Sequence, residues 1–269
     1  MAKRQLLSID DILNRVRESP RVLIGLDFDG TLTPIQNRPD GCRLTSTQRE
    51  LLSSMAQVPR FQLGVISGRA LSDVRARVGV PDIAYAGNHG FEIDFRNTRF
   101  VEPHADSLRS SLKALVRDLT QRLQSIPGCW LELKGPTASV HFREVESHLV
   151  LAVDEIVRSQ LQVWPDFLLR EGKCVLEIRP RIDWNKSHAV RWIREQAFRQ
   201  DEDSLLLYFG DDTTDEDVFR AWPGEIMLGV GTLASPYTHS RLEDPDAVWE
   251  LLSQIDATVK TASTSIEIS

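Results

Sequence analysis

Over the first third of the chain, short apolar runs alternate with amphipathic stretches. Val22–Leu26, Phe61–Ile66 and Ile83–Ala86 read as buried strands. Between them, Ile9–Glu18, Thr45–Met55 and Leu71–Val78 place apolar residues at helical spacing. The first of these has Ile9, Ile12, Leu13 and Val16 on one face and Ser8 as its N-cap. Each strand runs into a polar loop, at Asp27, at Ser67-Gly68-Arg69 and at Gly87-Asn88-His89-Gly90. Strands that alternate with helices in this way predict an α/β fold: a parallel sheet covered by helices on both faces.

The pattern then changes. Leu108–Leu123 puts Leu108, Leu112, Leu115, Leu119 and Leu123 on one helical face. Trp130–Lys134 and Ala138–Arg143 flank Gly135-Pro136-Thr137 as a hairpin, and Ser147–Leu161 is again helical. Phe167–Arg170 and Val175–Arg179 form a second hairpin around Glu171–Cys174. Helix, hairpin, helix, hairpin predicts an inserted α+β unit with an antiparallel sheet. After Pro180 the alternation resumes with helix Lys186–Phe198, strand Ser204–Phe209, helix Asp215–Ala221, strand Ile226–Val230 and helix Ala247–Leu252. Lys260–Ser265 is polar and aperiodic and reads as a frayed tail. The expected organisation is a core of residues 1–103 and 183–269 interrupted by a cap of residues 104–182. Hinges are expected near Glu102-Pro103-His104 and Arg179-Pro180-Arg181, with the active site between the two parts.

Composition narrows the function classes. A length of 269 residues fits one large or two smaller domains, and 41% hydrophobic with 26% charged residues is ordinary for a globular protein. The net charge of −7 argues against a nucleic-acid-binding surface. No apolar run approaches the roughly 18 residues of a membrane helix. The start, Met1–Leu7, is basic but lacks the apolar core of a secretory leader. Cys42, Cys129 and Cys174 show neither metal nor disulfide spacing, which fits the cytoplasm. The composition is compatible with a monomer.

The chemistry concentrates at strand ends. Asp27-Phe28-Asp29-Gly30-Thr31 follows the first strand, so two carboxylates stand one residue apart at the edge where open α/β sheets bind ligands. Carboxylates this close repel unless a cation sits between them, and an aspartate there can act as a covalent nucleophile. Ser67, Lys186 and the run Gly210-Asp211-Asp212-Thr213-Thr214-Asp215-Glu216-Asp217 fall at three further junctions. Together these predict Mg²⁺-dependent phosphoryl transfer. Asp27, Asp211 and a backbone carbonyl near Asp29 supply oxygen ligands to the metal. Lys186 offsets phosphoryl charge, and Thr31 and Ser67 donate hydrogen bonds. Asp27 attacks phosphorus, and Asp29 protonates the leaving alcohol and then activates water. Taken singly, each motif has a plainer reading: a turn or helix cap for Asp-x-Asp, Ser67 and the acidic run, a solvated helix residue for Lys186.

The set Asp27-x-Asp29, Ser67, Lys186 and Gly210-Asp211 to Asp215 resembles the four motifs of the haloacid dehalogenase superfamily of phosphatases. That resemblance implies a Rossmann-like core. It makes Asp211 a direct metal ligand and Asp215 either an alternate ligand or a residue one step removed from the metal. Substrate is addressed by other residues. Ser67-Gly68-Arg69, Gly87–Glu92, Glu132-Leu133-Lys134, Val140–Arg143, Gly172–Pro180 and Gly210–Asp217 resemble trehalose-6-phosphate phosphatases, from about residue 20 to 255. The resemblance implies that Glu132, Lys134, Lys173 and Glu177 hold the glucose ring remote from phosphate. Arg69, Asn88, His89 and Arg143 are further candidates for lining the cleft or touching phosphate. Charged groups suit this task, since a wrong hydroxyl pattern leaves them unpaired. Without the resemblance, Glu132/Lys134 and Lys173/Glu177 would read as exposed ion pairs of little worth. Two residues depart from the family pattern: Ser187 stands where glycine is usual, and Phe142 where tyrosine is frequent. With no synthase-like segment fused, a stand-alone phosphatase is expected. Phosphatases of sucrose phosphate or mannosyl-3-phosphoglycerate, and a non-catalytic sugar-phosphate sensor, are the alternatives.

Overall fold

The structure is a computed structural model and describes residues 6–36, 41–172, 174–199 and 202–266. The basic start up to Gln5 and the candidate Lys173 lie outside the described residues. In chain order the first part runs α1 (Ile9–Glu18), β1 (Val22–Leu26), α2 (Ser46–Ala56), β2 (Phe61–Ile66), α3 (Leu71–Val78), β3 (Ala84–Gly87), β4 (Glu92–Phe95) and β5 (Thr98–Val101). Then come α4 (Pro103–Ser107), α5 (Arg109–Leu123), β6 (Trp130–Leu133), β7 (Ala138–His141), α6 (Val150–Val163), β8 (Phe167–Gly172) and β9 (Val175–Pro180). The last part is α7 (Lys186–Ala197), β10 (Leu205–Gly210), α8 (Glu216–Ala221), β11 (Ile226–Val230), β12 (Ser240–Leu242) and α9 (Pro245–Ile266).

The chain divides into two compact units, Met1–Arg99 with Trp184–Ser269, and Phe100–Asp183. The larger unit is built on a sheet of order β12-β11-β10-β1-β2-β3-β4-β5. Its pairings from β12 to β3 are parallel, whereas β3 and β4 pair antiparallel. Strands β1, β2, β10 and β11 are buried along their whole length, as expected where helices cover both faces. Ile24, Val65, Leu207 and Leu228 meet Ile12, Met55, Val74 and Leu252 of the helices in one continuous core. Capping boxes fix the starts of α1 (Ser8 with Asp11) and α2 (Thr45 with Gln48).

The smaller unit is a four-stranded antiparallel sheet of order β6-β7-β9-β8. Leu112, Leu115, Leu119, Val153 and Val157 of the two long helices pack on Ala138, Val140, Leu176 and Ile178 of the sheet. Period-2 alternation therefore buries one face of the sheet under helices.

After Gly90, β4 and β5 form a hairpin through Arg96 and Asn97, whose φ values are 49° and 63°. Glu102-Pro103-His104 starts α4, with the Glu102 carboxylate accepting from Ala105 N at 2.6 Å and Pro103 in the first turn. Lys260–Ser265 is not an irregular tail, because α9 continues through Ile266. Among the described residues no helix is long and apolar enough to cross a membrane.

Candidate active site

The register of the parallel sheet creates the site. Leu26, the last residue of β1, pairs with Phe209 on one side and Val65 on the other. Asp27, Ser67 and Asp211 therefore leave the same edge of three adjacent strands. Asp27 N donates to the Phe209 carbonyl at 3.0 Å and so stays tied to that edge. The chain fills one side of β1 with β2 and β3 and the other with β10 and β11, which makes this edge the topological switch point of the sheet.

Lys186 begins α7, where an unpaired cation opposes the helix dipole. It is 2% exposed, and its Nζ donates to Asp27 Oδ1 at 2.7 Å and to Asp215 Oδ1 at 2.8 Å. Burial alone would favour a neutral amine, but Asp215 and Asp27 more than offset it and push the Lys186 pKa up, so the ammonium is kept. Asp215 is fully buried and takes four donors: Lys186 Nζ, the Tyr208 hydroxyl at 2.7 Å, and the backbone N–H groups of Asp211 and Asp212 at 3.1 and 3.2 Å. It thus ties the loop after β10 to the lysine. Tyr208 reaches it because the facing β1 residue is Gly25, where a Cβ would lie 2.6 Å from the phenol ring.

Carboxylate oxygens of Asp27, Asp211 and Asp215 lie within 4.8 Å of one another. Burial, the largest cause, raises all three pKa values, that of Asp211 to about 7. Lys186 offsets only part of this negative charge, so the donor set suits a hard divalent cation. Gly30 is shaped for the same cluster. Its φ is +92°, and a Cβ there would stand 2.0 Å from Asp211 Oδ2. Thr31 donates to Asp211 Oδ1 at 3.2 Å.

Asp29 faces Arg69. Nε and Nη2 of the guanidinium lie 2.6 Å from its two carboxylate oxygens, and Nη1 donates to Asp73 at 2.9 Å. The Arg69 guanidinium also stands 5.5 Å from the Phe28 ring, between the two aspartates in sequence. Ser67 is 1% exposed, and its hydroxyl accepts from Arg69 N at 3.1 Å. Asn88 is fully buried and gives its amide to Glu92 at 2.7 Å. His89 adopts a left-handed φ of 57° and lies against Gly68, where a Cβ would be 2.5 Å from the ring.

The other candidates lie in the smaller unit. Lys134 and Glu177 are 3.3 Å apart across the sheet and mostly buried. Arg179 also bonds Glu177, and Glu132 lies 2.9 Å from His141 Nε2. Arg143 is exposed. Tyr208 and Asp73 are not among the candidates read from the sequence, and His141 enters there only as part of Val140–Arg143. For Tyr208 the signal is the glycine in the opposite strand, meaningful once the register is known.

The chain is a phosphoric monoester hydrolase, with its acidic cluster at the switch point of a mostly parallel sheet. The family model of trehalose-phosphatase matches residues 25–246, and the chain belongs to that family. It is 32% identical over 261 residues to trehalose-phosphate phosphatase B of Arabidopsis thaliana, covering 91% of this chain and 69% of that one. It is likewise 32% identical over 254 residues to trehalose 6-phosphate phosphatase RA3 of Zea mays, covering 87% and 70%. Among solved structures, the C-terminal domain of a C. albicans trehalose-6-phosphate phosphatase superposes with a TM-score of 0.76 at 23% identity, over 95% of this chain and 99% of that one.

Proposed function

We propose that this protein hydrolyses trehalose 6-phosphate to trehalose and phosphate. The observation that carries the mechanism is the buried Lys186 ammonium 2.7 Å from Asp27 Oδ1, inside a cluster of carboxylates at the strand edge. Lys186 orients Asp27 and lowers the charge barrier to approach of a phosphate dianion. Asp27 attacks phosphorus, a new O–P bond forms, and the bond to the sugar oxygen breaks. Asp29, released from Arg69 as the guanidinium turns to the phosphate and protonated from solvent, gives that proton to the departing oxygen. It then takes a proton from water as the water attacks the phosphoaspartate, which returns the Asp27 carboxylate and frees phosphate. Arg69 and the Ser67 loop hold the phosphoryl oxygens.

Asp27, Asp211 and the backbone carbonyl of Asp29 would hold Mg²⁺, which when bound supplies positive charge against the phosphoryl oxygens. Asp215, with four donors already on its two oxygens, holds the loop and the lysine. Glu132, Lys134, Lys173 and Glu177 of the cap read the sugar hydroxyls, and the relatives' names supply the identity of that sugar.

A phosphate-release panel with Mg²⁺ tests this reading, using trehalose 6-phosphate, sucrose 6-phosphate, mannosyl-3-phosphoglycerate and p-nitrophenyl phosphate. The highest kcat/KM is expected on trehalose 6-phosphate. Preference for another sugar phosphate overturns the substrate assignment, and no release from any of them overturns the enzyme assignment.

A further inference from the structure

The face of the smaller sheet turned away from its helices carries a constellation that the phosphoryl chemistry does not use. Leu131, Val140 and Leu176 point into the helix-covered core, so Trp130, Glu132, Ser139, His141, Val175 and Glu177 share the opposite face. Trp130 pairs with His141 in register, and Glu132 with Ser139 one step along. Trp130 is 51% exposed. Its indole stacks on the His141 imidazole with ring centroids 3.8 Å apart and planes 12° apart. The same imidazole places Nε2 2.9 Å from Glu132 Oε2.

A ring clamped by a parallel stack cannot swing about χ2 without losing the stack. Its Nε2–H is therefore aimed along one direction, and the carboxylate that accepts it is held in one orientation. A carboxylate with fixed oxygens discriminates hydroxyl positions better than one that rotates, as second-layer hydrogen bonds do for metal ligands.

We propose that Trp130 and His141 are positioning residues for sugar recognition: the indole fixes the imidazole, and the imidazole fixes Glu132 against a sugar hydroxyl. This rests on the reading of Glu132 as a sugar ligand. It adds two residues that act through Glu132.

The test is a double-mutant cycle read as the ratio of kcat/KM on trehalose 6-phosphate to kcat/KM on p-nitrophenyl phosphate. His141→Ala should lower the ratio about tenfold, the scale of one hydrogen bond to a charged group. In a Glu132→Ala background the same change should have no further effect, because residues acting through one group are non-additive. Trp130→Phe should keep most of the ratio and Trp130→Ala should behave like His141→Ala. Should His141→Ala fail to fold, His141→Phe serves in its place, since it keeps the stack and lacks the donor. Additive losses in the cycle, an unchanged ratio in the His141 variants, or equal ratios for Trp130→Phe and Trp130→Ala overturn the proposal. If the wild type cleaves another sugar phosphate instead, the substrate assignment falls, and the cycle on that substrate decides the positioning roles by the same outcomes.

Discussion

Arg69 grips both carboxylate oxygens of Asp29, with Nε and Nη2 each at 2.6 Å, while its remaining nitrogen holds Asp73. A two-pronged contact of this kind fixes direction as well as charge. In the proposed mechanism it keeps Asp29 aligned in the resting protein and hands Arg69 to the substrate phosphate when Asp29 is needed.

A point charge cannot reproduce that fork. Arg69→Lys is therefore expected to lose about tenfold or more in kcat on trehalose 6-phosphate, close to the loss in Arg69→Met. A wild-type kcat in Arg69→Lys would show that only the charge matters.

Asp27→Asn should abolish turnover, by roughly 10³-fold or more, because an amide offers phosphorus no anionic oxygen. The fold should survive, since the amide oxygen can still accept from Lys186. Circular dichroism with phosphate-release kinetics checks both halves, and normal turnover in this variant would end the nucleophile assignment. EDTA should inactivate the wild type, and added Mg²⁺ should restore it.

The acidic cluster predicts a pH-dependent stability in metal-free protein. Burial first, then Asp215 and Asp212, push Asp211 from its ordinary 3.8 up to about 7. An unfolded chain would release this proton near its ordinary value. The group's contribution is thus whole at low pH and lost as pH rises through about 7. In EDTA at about pH 8, Asp211→Asn should be more stable than wild type by about 1 kcal/mol, after discounting for partial exposure. That corresponds to roughly 2–4 °C in Tm. Saturating Mg²⁺ should reverse the order, because only the wild type keeps the full ligand set. A lower Tm for Asp211→Asn in EDTA would mean that Lys186 already compensates the cluster.

The parts of this site that follow directly on a strand were legible in the sequence. Asp27 follows β1 and Asp211 follows β10, so an apolar run and the next polar residue suffice to place them. The pairings were not legible, because they join residues far apart in the chain: Arg69 with Asp29, Tyr208 with Asp215 through the space left at Gly25, Lys134 with Glu177. The β4–β5 hairpin escaped for a local reason. Its turn is Arg96-Asn97, with positive φ at both positions, where the usual Asn-Gly signal is missing.

Gly25 and Tyr208 form one structural unit. Tyr208→Phe removes one of four donors to Asp215 and should cost about 1–2 kcal/mol. Gly25→Ala drives a methyl to within 2.6 Å of a ring carbon in mid-sheet, where little can yield, and should cost about 1–3 kcal/mol by overpacking. Combining Gly25→Ala with Tyr208→Leu should recover part of the second loss, since the clash is with the ring itself. Chemical denaturation of wild type, Gly25→Ala, Tyr208→Leu and the double variant measures this, and strictly additive losses would show that the two residues are independent.

Lys134 and Glu177 are the strongest case for cap residues that read the sugar. Their 3.3 Å contact is largely shielded from water, with Arg179 also on Glu177, so both charges are held in place rather than waving in solvent. A pair that only stabilised the sheet would lower activity on every phosphate ester to the extent that it unfolds the cap. A pair that meets sugar hydroxyls loses discrimination instead, because a buried charge without its hydroxyl partner is penalised only when the sugar is bound. Lys134→Ala and Glu177→Ala should therefore each reduce kcat/KM on trehalose 6-phosphate by about 10–100-fold more than on p-nitrophenyl phosphate. Equal losses on the two substrates would make the pair a strut of the sheet and move sugar recognition elsewhere.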